Sequence, residues 1–465
     1  MNEILQKTSG LPKTFHQTIK LLIIGFIILV LMIPVAWIST IIRERHNRRD
    51  SVVREISEKW GASQIVSGPY ISVPYQASVM EDNNGVRKTT TETRYVHITA
   101  ETMNVTGNLK TESHHRNIFK VLGYKGEFDL VSTFNPVIPA DEMPVASKLE
   151  WDKAIVSFDL SDNHGLKEIR GKINGMPLKF ENSSGALQLI TTLKPDPYSN
   201  KPRYAESNKG EDRNIVFKYE AKAPITDSSM KNQVSVHVSL TGTQQIYFLP
   251  SAMQESIDIQ SDWKSPSFVG DILPESHSIN EKGFHATWHT NYLSSGNKPY
   301  WRSDAGHPKL SYLGVDFLVM VDSYQQATRA LKYSILFLLL TFMTFFFAET
   351  VFKQRIHPIQ YVMVGCSLVL FYLLLLSISE HLPFGWAYLI SAIAIVLQIS
   401  IYCGTILKTG RFAYRIGGML TGLYAFLYVL LRLEDSALLV GSISLFVLLG
   451  IAMYAIRNIN WYSQE

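Results

Sequence analysis

Apolar positions are distributed unevenly along this chain. One long apolar run lies near the start, five lie close together at the end, and a polar segment from roughly Arg43 to Arg329 separates them. A bilayer core is about 30 Å thick, so a spanning helix needs about 20 mostly apolar residues. Leu21–Ile42, Ile359–Ser379, Leu382–Leu407 and Ser436–Ile456 meet this without a formal charge. Tyr333–Ala348 and Ile416–Leu431 are shorter, and extend into flanking residues such as Arg329, Lys332 and Arg415, whose charged tips snorkel. The pattern predicts a membrane protein of mixed class: a six-helix transmembrane bundle with a large extracytoplasmic domain inserted after the first helix. The predicted spans are 21–42, 324–349 (an amphipathic lead-in plus helix), 359–379, 382–407, 416–431 and 436–456, with a tail at 457–465. The run at 21–42 follows Lys7, Lys13 and Lys20, as a signal peptide would. It is longer than a typical h-region and no A-x-A-like site follows, so it reads as an uncleaved anchor.

The polar segment changes period. Over 43–62, Val52, Val53, Ile56 and Trp60 form a stripe at helical spacing opposite Arg54, Glu55, Glu58 and Lys59, which predicts a stem helix. Over 63–323 the signal is β. Arg213–Glu220 and Asn232–Leu240 alternate polar and apolar residues, and Asn83-Asn84-Gly85, Asn163-His164-Gly165 and Asn174-Gly175 punctuate the strands. Many short strands with little helical period predict an antiparallel β-sandwich-like domain. Lys194–Asp212 and Ser294–Pro308 read as loops, and Gln325–Lys332 as a short helix feeding the second span.

Charge sets the orientation. Lys353 and Arg355, then Lys408, Arg411 and Arg415, then Arg457 mark alternate loops, while Glu380 with His381, and Glu434 with Asp435, mark the others. Short basic loops stay in the cytoplasm. Both termini, including residues 1–20, are therefore expected in the cytoplasm and the large domain outside, which in a bacterium means the periplasm. Arg43, Arg45, Arg48 and Arg49 oppose this, but long domains translocate largely regardless of charge. A net charge of +4 gives no case for nucleic acid as a partner. The two cysteines, Cys366 and Cys403, fall inside predicted spans, so the polar domain has no disulfide framework and no CxxC motif; both read as small core residues of the bundle.

The sequence offers little catalytic chemistry. H-E-x-x-H, G-x-S-x-G, G-x-x-x-x-G-K-[ST] and G-x-G-x-x-G are all missing, so no catalytic, cofactor-binding or metal-ligating residue is assigned and no enzyme is expected. His285 and His289 share one face of a predicted strand, too far apart for a tight metal pair. His114-His115 read as a solvated turn, and His97 and His237 as outward-facing strand residues. The membrane edge is richer: Glu349, Arg355 and His357 lie at one side, Glu380 and His381 at the other, and Asp435 opens the last span. Ionisable groups at membrane depth tend to be paired or functional. At span ends they serve as caps and interfacial anchors, or as parts of an ion path. As caps, Glu349 and Glu380 would lose at most modest stability on replacement by Gln and leave the envelope phenotype largely intact.

Several segments resemble the CreD family. These are Glu349-Thr-Val-Phe-Lys-Gln-Arg-Ile-His357-Pro358-Ile-Gln-Tyr361, Leu370–His381, Trp263-Lys-Ser-Pro-Ser-Phe-Val-Gly-Asp-Ile-Leu-Pro274, Asp435–Gly441 and Arg457-Asn-Ile-Asn-Trp461-Tyr462. The likeness is tightest over about 263–274, 321–381 and 435–462, and loose over 76–230 and the fifth span. It implies a bacterial inner-membrane protein of cell-envelope integrity and stress response, associated with a two-component regulatory system, and it supplies no catalytic residues. Together the two lines predict a multi-pass inner-membrane protein whose β-domain binds or braces an envelope component: a protein, glycan or lipid. The alternative is a transporter-like or channel-like bundle with a periplasmic accessory domain, against which the spans lack two halves with matching broken helices.

Overall fold

The computed structural model describes residues 13–83, 86–116, 118–138, 148–183, 193–194, 203–204, 217–225, 230–304, 311–317, 323–352, 356–407, 410–433 and 439–443, with 446, 450 and 453. The chain divides into two compact units, one of Met1–Arg49 with Val321–Glu465 and one of Asp50–Met320. The helices are α1 (Lys13–Trp60), α2 (Tyr292–Ser295), α3 (Ser323–Lys332), α4 (Ser334–Phe352), α5 (Pro358–Ser379), α6 (Phe384–Leu407) and α7 (Gly410–Arg432).

In the Asp50–Met320 unit, alternation builds two large sheets. Along Ala100–Arg116, Met103, Val105 and Leu109 point inward while Thr102, Asn104, Thr106 and Asn108 face out. The eight-stranded sheet runs Ser276–Asn280, Gly283–Asn291, Ala252–Ser261, Ala100–Arg116, Phe119–Phe134, Asn232–Thr243, Leu166–Ile173 and Met176–Leu178. The path of the nine-stranded sheet runs Pro266–Gly270, Leu313–Phe317, Gln245–Leu249, Gln64–Asn83, Ile155–Leu160, Phe217–Lys222 and Glu181–Ser183, and Val86–Ile98 pairs off it with Gln64–Asn83 and Tyr300–Arg302. Inward residues of both sheets, among them Val73, Val156, Val105, Phe128, Val236 and Trp288, form one hydrophobic cluster. Each such fully buried side chain contributes about 1.5–3 kcal/mol relative to exposure, which explains a unit that needs no disulfide.

The sheets are mixed rather than wholly antiparallel. Gln64–Ser67 runs parallel to Ile246–Leu249, and Ala100–Leu109 runs parallel to Ala252–Ser261. The chain changes sheets at Thr99, at Gln244 (φ 62°) and at Pro250-Ser251, so one continuous stretch supplies a parallel neighbour to each sheet. The turn at Asn174-Gly175 has φ of 50° and 85°, the left-handed pair that a two-residue hairpin between Leu166–Ile173 and Met176–Leu178 demands.

Three local expectations differ from the structure. His114 and His115 lie on the strand Ala100–Arg116, and His114 packs against Trp60 with ring centroids 4.3 Å apart. His97 is 1% exposed, stacked on Trp301 at 5.0 Å and bonded through Nδ1 to Ser72 Oγ at 2.8 Å. It faces away from the main core, but a second cluster of Tyr70, Tyr247, Trp301 and Tyr312 covers that face. The 294–308 stretch contributes to α2 and to the strand Tyr300–Arg302; its residues 305–308, like most of Lys194–Asp212, are outside the described residues.

In the other unit, four helices are long and apolar enough to cross a membrane among the described residues, and a fifth crossing results if α3 and α4, bent by 46°, count as one. Most of the predicted sixth span, 436–456, lies outside the described residues. α3 is amphipathic, burying Tyr324, Ala327, Ala330 and Leu331 and exposing Gln325 and Lys332. Cys403 is buried, whereas Cys366 is exposed rather than in the core.

A soluble fragment of residues 50–320 is expected to fold alone, because its core cluster is internal to it. Circular dichroism dominated by helix, or a molten fragment without cooperative unfolding, would contradict this.

Candidate functional site

The membrane-edge residues are organised by α1. Its buried positions Ile24, Ile27, Leu31, Val35, Ile38 and Ile42 recur every three or four residues, while Leu22, Phe26, Leu29, Ile33 and Trp37 stay exposed on the opposite side. The stripe packs closely: a side chain at Gly365 of α5 would collide with Leu31. Lys20 lies four residues before the first buried Ile, and Arg45 three after the last. The stripe therefore ends in a cation at each end, roughly 37 Å apart at about 1.5 Å per residue, a span comparable to the ~30 Å hydrocarbon core plus its edges.

Each cation meets a candidate glutamate. Lys20 Nζ forms an ion pair with Glu349 near the end of α4, and also donates to the Ile356 carbonyl at 2.7 Å. Tyr361 of α5 donates its hydroxyl to the other Glu349 oxygen at 3.2 Å, and Lys20 lies 5.7 Å from the Tyr361 ring centroid. At the opposite end of α5, Arg45 Nε is 3.6 Å from Glu380 Oε1, which also accepts from Tyr324 Oη of α3 at 3.2 Å. Both clusters have the same composition: a carboxylate, a cation from α1 and a tyrosine hydroxyl. Paired charges and a phenol donor satisfy a carboxylate at the membrane edge and hold three helix segments together.

Of the remaining candidates, His357 is the N-cap of α5. Its Nδ1 accepts from the Ile359 N–H at 3.3 Å, and Gln360 Oε1 accepts from its own N–H at 3.0 Å, with Pro358 in the first helical position. His381 follows α5 and donates its backbone N–H to the Ile378 carbonyl at 3.0 Å. Arg355 and Asp435 lie outside the described residues. The structure does not bring Glu349 and Glu380 together: Tyr361 and Glu380 are separated by roughly 28 Å along α5 at about 1.5 Å per residue.

The β unit holds further buried acids. Glu255, 4% exposed, accepts from the Ser251 N–H at 2.9 Å where the chain changes sheets, and burial pushes its pKa up to about 8. Asp316 accepts from Tyr247 Oη at 2.6 Å, and burial raises its pKa to about 6. Asp159 accepts from Tyr70 Oη at 3.2 Å beside the largely buried pair of Lys218 and Glu220. His285 and His289 are exposed on one strand and contact different acids, Asp258 and Glu275. Among the described residues no group of three or more His, Cys, Asp or Glu side chains could hold a metal ion.

The sequence alone misses Lys20, Arg45, Tyr324 and Tyr361. For Lys20 and Arg45 the signal is the continuation of the α1 stripe to a cation at each end, which is hidden because the opposite side of the same helix is equally apolar.

Comparison with known proteins points to a membrane protein, as the apolar helices do. The family described as "Inner membrane protein CreD" matches residues 16–462. The protein of that name from Escherichia coli (strain K12) is 29% identical over 445 residues, covering 94% of this chain and 92% of the relative. The chain belongs to the CreD family of inner membrane proteins.

Proposed function

We propose that this protein supports the integrity of the bacterial cell envelope, or its stress response, without catalysing a reaction. In this reading the β unit is a sandwich-like periplasmic domain that binds or braces an envelope component, and a six-span bundle with both termini in the cytoplasm anchors it. The observation that carries the reading is the pairing of both membrane-edge glutamates with cations of α1. Charges neutralised within the bundle suit an anchor, because an ion path needs carboxylates available to its cargo.

The test is photo-cross-linking in intact cells from exposed positions of the β unit, such as Asn104 and Gln260. Capture of a defined envelope protein, glycan or lipid supports the proposal. A β unit that captures nothing above the level of a secreted, untethered 50–320 fragment would end it.

Orientation has its own expected result, resting on the alternating Lys and Arg of the short loops. A reporter active only in the periplasm should be silent when fused after Gln464 and active when inserted near Asn208. The reverse at either site overturns the orientation.

A further inference from the structure

We infer that the groove between α6 and α7 is a glycerophospholipid site, with an acyl chain along the groove and the phosphate on Arg432. Gly385, Leu389, Ile393 and Leu397 recur every four residues and form one wall, and Ala425 and Tyr428 of α7 form the other. The cavity measures about 480 Å³. It opens to the outside of the helix pair, since Leu389, Ile393, Leu397 and Ala425 are exposed. From Gly385 to Leu397 it follows roughly 18 Å of helix at about 1.5 Å per residue, close to one leaflet of a ~30 Å core. A groove of that length and chemistry, on helices apolar enough to cross a membrane, matches a lipid tail.

One end of the groove is polar. Arg432 donates through Nε and Nη2 to Tyr428 Oη at 3.1 and 2.9 Å, and its guanidinium carbon lies 5.4 Å from the Tyr428 ring centroid. The tyrosine thus holds the guanidinium by hydrogen bonds and by a cation–π contact. Of the five N–H donors of a guanidinium, those not spent on Tyr428 suit a phosphate, which Arg binds as a planar fork. Gly385 keeps this end open: a Cβ there would lie 3.3 Å from Tyr428 Oη and 3.8 Å from Arg432 Nη2. Apolar walls leading to an exposed, pre-oriented cation complement a phosphodiester on a hydrocarbon chain. Glu434 and Asp435 follow in the sequence and are the rival claimants for Arg432.

The test uses full-length protein in detergent, with native mass spectrometry after addition of dioleoylphosphatidylglycerol or dioleoylglycerol, the same tails without phosphate. The wild-type protein should retain the phospholipid at least ten-fold better. Arg432→Gln should bring it down to the level of dioleoylglycerol, while Ala425→Trp, which fills the groove, should reduce both. Equal retention of the phospholipid by wild type and Arg432→Gln would overturn the inference and leave Arg432 to the acidic residues. A photo-cross-linking amino acid at Ile393 covers the case in which Ala425→Trp misfolds. It should label added phospholipid; a cross-link to the 436–456 segment instead would show that the chain fills its own groove and would overturn the site.

Discussion

Glu255→Gln is expected to stabilise the β unit at neutral pH and to flatten its stability profile. The folded carboxyl has its pKa pushed up to about 8, against an ordinary value of 4.5. Between those values the folded state keeps the proton and the unfolded state has lost it. Unfolding then releases a proton, so stability falls as pH rises from about 4.5 to about 8 and is level outside that window. At pH 7 the penalty approaches about 3 kcal/mol, at about 1.4 kcal/mol for each pH unit above 4.5. Gln cannot ionise and still offers an oxygen to the Ser251 N–H, so it should recover most of that difference. Glu255→Ala should do the opposite, since it leaves the backbone N–H groups at the sheet-changing corner without their acceptor. Asp316, with a pKa raised to about 6 from an ordinary 3.8, adds a smaller total effect of the same sign over a narrower window that ends near pH 6. Urea unfolding of the 50–320 fragment at pH 5, 6, 7 and 8 measures the effect. A wild-type midpoint that climbs with pH, or a Glu255→Gln slope equal to wild type, would show that Glu255 does not control the profile.

The elements legible in the sequence are those encoded by near neighbours. Helical spacing marked the Val52–Trp60 end of α1, the two-residue period marked strands such as Asn232–Thr243, and Asn174-Gly175 named its own hairpin. Pairings between distant segments carry no local code. Ala100–Leu109 pairs parallel with Ala252–Ser261, and nothing in either strand distinguishes a parallel neighbour from an antiparallel one. His97 looked outward because alternation identifies a face of the sheet, not what covers it; Trp301 and Tyr70, remote in sequence, cover it. The candidate site divides the same way. His357-Pro358 as a helix start follows from the residue types alone. For Glu349 and Glu380 the sequence gives depth in the membrane but not their partners, which come from α1 more than three hundred residues earlier.

Those partners set the strongest test of the bundle. Lys20→Ala and Glu349→Gln are each expected to destabilise the membrane unit by about 2 kcal/mol. Losing one member of a buried ion pair costs about 3–5 kcal/mol. The lower figure applies because 20% of the Lys20 side chain and 16% of that of Glu349 remain exposed, and exposed pairs contribute about 1 kcal/mol or less. Glu349→Gln keeps an acceptor for Tyr361 but leaves Lys20 facing a neutral amide, so the modest cost expected of a cap takes the form of a lost ion pair. The double exchange Lys20→Glu with Glu349→Lys restores opposite charges across the same contact and should recover about half of the loss, since the Tyr361 hydroxyl bond is not rebuilt. Thermal unfolding of the full-length protein in detergent gives these differences directly. Complementation of a deletion strain then separates the two roles. If the pair is a staple, the exchanged protein works wherever it is stable, because either polarity pins α1 to α4. If Glu349 carries a proton or ion, the exchanged protein is inactive at normal abundance, because no carboxylate remains at that position. A stable, abundant and inactive exchange variant would replace the anchor reading with a transporting bundle.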